Sequence, residues 1–588
     1  MKNLAIYVHY SSRLEIEEYE KFFINFLQQS FEVQFISNSP LSADSDSWLK
    51  KKSIPCEKRE NCGFDMGAFK DYLLTNKETL KGYETILLTN NSFYAPIGDF
   101  PTPDRLLNGK DFFGWYLHPR VGSIPEHLQS YFLLFGKRII SSGKLLSFFS
   151  SFSYPRNYDQ AVAIETIFTK TLQRLGFTYS FVSDYNKIKG LFPNPSILTP
   201  DLLLDSGVPL IKRKAFNLEY DYFLENSYGD HPRKSIEKAC ALGYPIHNIY
   251  KDLLNIPQSQ SFPHLPHFYI LEADGSEEFS ISRKIGLILY VYFEDLVEQN
   301  TQIIKNFSEI NASILLVSPS QTLLKKYENI WGNVCNYTLM ENRGRNEYAY
   351  FVCGKSFLEE NDFTCLLHDK KSSGETPAIR GFDWNAFCLD NLVASKIYIL
   401  NVINEFEKHP EIGLLFPPPP VFSKWRFVQN TIWQNPNNLR WAKVLYKKLD
   451  LKVPFDEYPL VPFGTMFWLR KDALAALTKR ELPDSFFPKE PLPADGSILH
   501  ALERMYSMIA QNEGFFSGWI MNKSSAERYI LNLFTLYNSL GRHGETANFT
   551  TQQFNSPGIK VSARLFSTAI QKRLRKEFMK IWKKIQLT

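Results

Sequence analysis

The chain repeats itself. Two stretches about 280 residues apart carry the same succession of strand, helix, strand, glycine-containing helix start and strand, and then the same polar punctuation. Residues 5–10 lie opposite residues 288–293, and 31–39 opposite 313–320; both pairs read as buried strands ending in polar turns. Glu60-Asn61-Cys62-Gly63-Phe64-Asp65 answers Glu341-Asn342-Arg343-Gly344-Arg345-Asn346, and residues 86–92 answer 365–371. Further on, residues 129–134 match 464–469, and helical runs around 161–172 and 499–509 set Glu165 opposite Glu503. The second copy holds roughly 55 more residues before this closing segment. A period this long describes two homologous domains, since solenoid repeats run about 20–50 residues.

Composition agrees with two large globular domains. The chain has 588 residues, of which 44% are apolar and 22% charged, values of a folded chain with a sizeable core. Its 48 Phe and 30 Tyr are mostly core, although rings also offer flat faces to sugars or bases. The seven cysteines, 56, 62, 240, 335, 353, 365 and 388, form no C-x-x-C pair and are expected to be reduced, buried thiols of a cytosolic protein. The N-terminus runs straight into a strand without a secretory pattern. No apolar run approaches the ~20 residues of a membrane span; 285–293 comes nearest.

A net charge of +5 gives no reason to expect a nucleic-acid partner. The charge is uneven, however. Residues 558–588 hold nine Lys or Arg against Glu577, and Leu574, Phe578, Ile581 and Ile585 recur at helical spacing. This basic amphipathic helix suits an anionic membrane surface, a protein partner, or packing on the last domain.

The boundaries expected from these patterns are a first domain over 1–255, a linker over 256–283, a second domain over 284–540, and a polar linker with the basic helix over 541–588. Pro257, Pro263 and Pro266 among Ser and Gln mark the first linker. Pro417 to Pro420 cap the strand at 412–416 and turn the chain into the insertion. Strands alternating with helices predict an α/β fold, with two mostly parallel sheets covered on both faces.

In such sheets ligands sit at the carboxyl ends of strands, where the polar residues of both copies gather. In the first copy these are Asn38 and Ser39, then Asn61, Gly63 and Asp65, then Asn90 and Asn91. In the second they are Ser318, then Asn342, Arg343, Gly344, Arg345 and Asn346, then His368, Asp369, Lys370 and Lys371. Guanidinium forks and a helix N-terminus suit a diphosphate. The first copy is poorer in charge: Cys62 and Phe64 replace the two arginines, and Asn91 and Ser92 replace the two lysines.

These same stretches, together with His127-Leu128-Gln129-Ser130-Tyr131-Phe132, Gly464-Thr465-Met466-Phe467-Trp468, Asp495-Gly496-Ser497 and His500-Ala501-Leu502-Glu503-Arg504, resemble the rhamnan synthesis protein F family. The resemblance covers nearly the whole chain up to about residue 540. It implies a bacterial glycosyltransferase that builds rhamnose-containing surface polysaccharide on a lipid carrier at the cytoplasmic face of the membrane. The donor would be a nucleotide sugar such as dTDP-rhamnose, the acceptor a lipid-linked glycan, and each domain a Rossmann-like A-type nucleotide-sugar fold. In that fold the strand before Thr89 or His368 ends in a metal-binding Asp-x-Asp, which neither copy has. A divalent Mg or Mn ion is therefore left open. Where two carboxylates would stand the second copy has His368 and Lys370, cations that would offset diphosphate charge.

Inverting glycosyl transfer needs a carboxylate to take the acceptor proton and a positive group to stabilise the departing diphosphate. Asp495, Glu503 and, in the first copy, Glu165 or Asp159 are the base candidates. Asp495 and Glu503 stand roughly 12 Å apart if they share one helix, so at most one of them is the base. Arg343, Arg345, Lys370 and Lys371 are the leaving-group candidates, and Asn38, Ser39 and Ser318 face a nucleobase or ribose. The alternative is a non-catalytic assembly protein that binds polysaccharide through degenerate transferase folds.

Overall fold

Successive side chains of a strand point to opposite faces of its sheet, and here both faces are core. Leu4, Ile6 and Val8 enter one apolar cluster with Phe69, Leu73 and Phe168, while Ala5 and Tyr7 enter another with Phe23, Leu27 and Phe35. The computed structural model describes residues 2–120, 125–184, 186–188, 194–275, 283–371, 379–483 and 486–544. It divides into two units, Met1–Pro266 and His267–Thr588.

The first unit contains β1 (Asn3–His9), β2 (Glu32–Ser37), β3 (Cys56–Lys58), β4 (Thr85–Asn90), β5 (Phe93–Tyr94), β6 (Phe112–Gly114), β7 (Tyr116–His118), β8 (His127–Leu128), β9 (Phe132–Gly136), β10 (Tyr179–Ser180), β11 (Ser183–Asp184) and β12 (Ile211–Lys212). Its main sheet has the order β10-β6-β9-β4-β1-β2-β3. Strands β1 to β4 are parallel, and β9 lies antiparallel between β4 and β6.

The second unit contains β13 (Phe268–Leu271), β14 (Ile285–Tyr290), β15 (Ser313–Ser318), β16 (Asn336–Leu339), β17 (Phe363–His368), β18 (Ile412–Phe416), β19 (Phe467–Arg470) and β20 (Phe516–Asn522), in the order β13-β20-β18-β19-β17-β14-β15-β16. Here β19 is the antiparallel strand, between β17 and β18. The run β3-β2-β1-β4-β9-β6-β10 thus reappears as β16-β15-β14-β17-β19-β18-β20. Two mostly parallel mixed sheets carry the duplication.

The glycine turns repeat as well. Gly63 and Phe64 have φ of 77° and 56°, Gly344 and Arg345 of 60° and 50°. Cys62 donates its N–H to the Glu60 carbonyl at 2.7 Å, and Arg343 to that of Glu341 at 2.8 Å. A Cβ on Gly344 would stand 2.7 Å from Phe487 Cβ, so positive φ and close packing both require glycine there.

Three expectations change. The segment at 256–283 is not all linker: Gln258–Ser261 is helical, and β13 pairs parallel with β20 at the sheet edge. Tyr269 and Leu271 are buried while Phe268 and Ile270 are exposed, an alternation that the neighbouring prolines obscure. Second, Leu134 faces Leu87 and Phe467 faces Leu366. Since β1, β2 and β4 keep their sequence pairing with β14, β15 and β17, with Leu87 opposite Leu366, Leu134 falls opposite Phe467, and it is β9 and β19 that match two residues away from the sequence pairing, an even slip that leaves every side chain on its own face. Third, the seven cysteines are free, but Cys56, Cys62 and Cys240 are exposed. Among the described residues no single helix is long and apolar enough to cross a membrane. The basic stretch 558–588 lies outside the described residues.

Candidate functional site

The carboxyl end of β17 and the start of β19 meet at Gly464. Its N–H donates to Glu503 Oε1 at 2.8 Å, and its carbonyl lies 2.6 Å from His368 Nε2. Thr465 Oγ1 reaches the same Glu503 oxygen at 3.5 Å. Lys370 leans into this corner, with Nζ 4.4 Å from the centre of the Trp384 ring. A Cβ on Gly464 would fall 3.2 Å from that amine and 3.1 Å from Trp384 Nε1. Cation–π attraction holds an amine in such a place.

His368 behaves differently from the expected cation. Its Nδ1 faces the Asp369 carbonyl at 2.8 Å while Nε2 faces that of Gly464. Burial, and after it Lys370, push the imidazole down to about 4. The ring is neutral at pH 7, with one proton for its two carbonyl contacts. It braces Gly464 and adds no positive charge.

The other basic residues have protein partners. Arg343 is buried; its Nε donates to the Phe487 carbonyl at 3.0 Å and its Nη1 to Glu341 at 3.2 Å. Arg345 Nε donates to Glu490 Oε1 at 2.7 Å. Lys371 pairs with Asp295 and lies over Phe293. Among the described residues Lys370 has no acidic partner, which singles it out of the four.

The carboxylates separate in the same way. The helix Ile498–Glu503 starts at its N-cap Ser497, so Asp495 lies outside it and the spacing along one helix does not apply. Asp495 accepts from Asn438 and Asn435 at 2.9 and 3.0 Å, and Arg504 spans Asp495 at 3.5 Å and Glu503 at 3.3 Å. Burial would raise the Asp495 carboxyl, but these two amides and Arg504 outweigh it and hold it below the ordinary range. Asp369 accepts the N–H groups of Tyr292 and Phe293 at 2.7 and 2.8 Å and Asn300 Nδ2 at 2.7 Å; it fastens the loop after β14. Ser318 Oγ accepts the Ser320 N–H at 3.1 Å. Asn342 is exposed and Asn346 buried at the adjoining helix start.

Two residues in this corner were not singled out from the sequence. Trp384 carries Lys370. Glu347, one residue beyond the glycine motif, is buried, and burial together with Glu503 pushes its carboxyl up to about 8. A neutral acid thus stands in the electrostatic field of Glu503. Its place beside the motif was the only available signal.

In the first unit Glu165 bonds to Ser130 and lies 3.8 Å from His127 Nε2, as Glu503 bonds to Gly464 and Thr465. Asn90 Nδ2 donates to Asp65 at 2.8 Å, and Asn90 Oδ1 accepts the Ser92 N–H at 3.1 Å. Asn91 Nδ2 donates to the Tyr10 carbonyl at 3.0 Å. Asn38 accepts from Arg59 at 2.8 Å and donates to Asn61 at 3.3 Å and to the Phe64 carbonyl at 2.9 Å. It ties the turn around Gly63 to β2. Ser39 Oγ accepts the Ser11 N–H at 3.1 Å.

The donor set does not fit a divalent metal. Among the described residues no three His, Cys, Asp or Glu side chains gather as ligands. His368 turns both nitrogens to carbonyls, and beyond it stands the amine of Lys370.

The model of the rhamnan synthesis protein F family matches residues 33–515. Over 175 residues the chain is 28% identical to the uncharacterized protein WxcX of Xanthomonas campestris pv. campestris (strain B100), covering 30% of this chain and 24% of that protein. It is 23% identical over 207 residues to the uncharacterized protein y4gN of Sinorhizobium fredii (strain NBRC 101917 / NGR234), covering 34% and 54%. The chain thus spans about a quarter of the first relative and about half of the second. Among solved structures, the apo-form glycosyltransferase GlyE of Streptococcus pneumoniae TIGR4 is similar with a TM-score of 0.24 and 9% identity, over 65% of this chain and 89% of that one. So loose a likeness carries no argument.

Proposed function

Because the chain belongs to the rhamnan synthesis protein F family, we propose that it is a glycosyltransferase of polysaccharide biosynthesis. It moves rhamnose or a related deoxyhexose from a nucleotide diphosphate to a lipid-linked surface glycan. The observation that carries this reading is Lys370, an amine without an acidic partner among the described residues, set beside Glu503 at a strand end. Family membership supplies the polysaccharide, and the corner supplies a place for an anionic leaving group. In this reading both units have the A-type nucleotide-sugar fold, and the chain works at the cytoplasmic face of the membrane, its basic C-terminal stretch against anionic lipid.

The second unit is assigned the reaction. An acceptor hydroxyl oxygen attacks the anomeric carbon, the new C–O bond forms, and the bond from that carbon to the diphosphate oxygen breaks. Glu503 takes the hydroxyl proton, and the bonding pair leaves with the nucleoside diphosphate, whose charge Lys370 offsets. Arg504 orients Glu503. Isothermal titration with dTDP-rhamnose and related nucleotide sugars, with and without Mg²⁺ or Mn²⁺, tests the reading. Binding that persists without metal and is lost in Lys370→Ala is expected. Failure to bind any nucleotide sugar would sink it and leave the non-catalytic assembly protein.

A further inference from the structure

The first copy lacks the lysines that its strand end would be expected to carry, because Asn91 and Ser92 stand there instead. A cation returns to the spot from 120 residues downstream. Lys212, on β12, places Nζ 3.2 Å from Ser92 Oγ and 3.9 Å from the centre of the Tyr131 ring. Lys370 has equivalent surroundings in its own unit: an aromatic ring beneath the amine, and the residues that lead into the antiparallel strand alongside. Tyr131 directly precedes β9, as Met466 precedes β19. The helix carboxylate recurs too, with Glu165 bonded to Ser130 as Glu503 is to Gly464.

This placement is built by the fold. Strand β12 runs antiparallel to β5, with Lys212 opposite Phe93. The next residue, Arg213, grips Asp252 through Nε at 2.7 Å and Nη2 at 2.8 Å, and Tyr94 adds its hydroxyl to the same carboxylate at 2.6 Å. Arg213 also donates its main-chain N–H to the Ser92 carbonyl at 3.0 Å. A bidentate anchor therefore fixes the residue beside Lys212, and with it the amine. Burial pushes that amine down to about 8; Glu165 and Asp65 pull it upward and Lys214 adds to the burial effect. Among the described residues no carboxylate is in contact with this amine; desolvating it so is costly, and a leucine or methionine would fill the same space at no such cost. An anion arriving from solution is what the arrangement accommodates.

We propose that the first unit holds a second, independent donor site, in which Lys212 receives the diphosphate of a nucleotide sugar as Lys370 does in the second unit. The proposal rests on the transferase reading of the strand-end sites. It gives the chain two donor sites, with Glu165 as the carboxylate of the first.

Calorimetric titration of the full chain with dTDP, UDP and GDP tests it by counting sites. Wild type is expected to bind two equivalents of the preferred nucleotide, and Lys212→Met and Lys370→Met one each. One equivalent that survives Lys212→Met and disappears in Lys370→Met overturns the proposal and leaves the transferase reading standing; no binding in any form overturns both. A second measurement leaves Lys212 intact. In Lys370→Met at pH 8.5, the remaining equivalent is expected to bind with proton uptake, read from buffers of different ionisation enthalpy, because a bound diphosphate raises an amine that is mostly neutral there. Binding without proton uptake would assign that equivalent to other groups and overturn the role of Lys212.

Discussion

Glu503 Oε1 accepts the main-chain N–H of Gly464 at 2.8 Å. His368 holds the carbonyl of the same residue from β17. The backbone of Gly464 is thereby fixed from two elements that are far apart in sequence, and its bare Cα forms the wall against which Lys370 and Trp384 rest. Its φ of 92° is one that only glycine adopts without strain.

Gly464→Ala should therefore do two things. Forcing a side chain into this conformation costs about 1–3 kcal/mol, and the new methyl meets Lys370 Nζ and Trp384 Nε1 at 3.2 and 3.1 Å. Urea unfolding should show a lower midpoint, and nucleotide-sugar affinity should fall about tenfold as the amine is displaced. Wild-type affinity in a variant destabilised by that amount would show that Lys370 is not the diphosphate group.

Glu503→Gln keeps an oxygen for the Gly464 N–H but removes the charge and the proton acceptor. General-base catalysis contributes roughly 10²–10⁴-fold, so kcat should drop by that order while the donor KM and the melting temperature change little. An unaltered kcat would move the base elsewhere, with Glu165 next to be examined.

Arg343 and Lys370 looked alike in the sequence and should part in experiment. Arg343→Ala leaves the Phe487 carbonyl without its donor, a loss of about 1–3 kcal/mol for a buried acceptor. Its signature is reduced stability at near-normal donor affinity in whatever fraction stays folded. Lys370→Ala removes a half-buried charge without a carboxylate partner, so binding should fall and stability hold. The reverse pattern would return Arg343 to the diphosphate.

The contrast shows what the sequence could convey. The turns around Gly63 and Gly344 were legible because a glycine requirement is local, and the parallel strands because their apolar runs are local too. The fate of Arg343 and Arg345 was not, since their partners Phe487 and Glu490 lie about 145 residues away and no spacing rule links them. Lys212 was hidden in the same way: it stands on a two-residue strand without any motif, and only the pairing of β12 with β5 brings it to Ser92. The charge of His368 was misjudged because burial, which the sequence does not display, outweighed its ordinary basicity. Strand β13 was taken for linker because prolines nearby masked four alternating apolar residues.

Glu347 should leave a mark on the pH dependence of stability. Its carboxyl is raised from 4.5 to about 8 in the folded chain, so between these values the folded state keeps a proton that the unfolded state has released. Stability from this group is fully present below pH 4.5 and declines as pH rises towards 8. A tenfold difference in proton affinity is worth about 1.4 kcal/mol, so the effect amounts to a few kcal/mol by pH 8. Glu347→Gln retains the neutral shape and cannot ionise. Its unfolding free energy should therefore overtake that of wild type progressively from pH 5 to pH 8, as followed by urea titration at fixed ionic strength. A difference that stays constant over that range would mean that Glu347 is ionised at neutral pH, and that the corner beside Glu503 holds two negative charges instead of one.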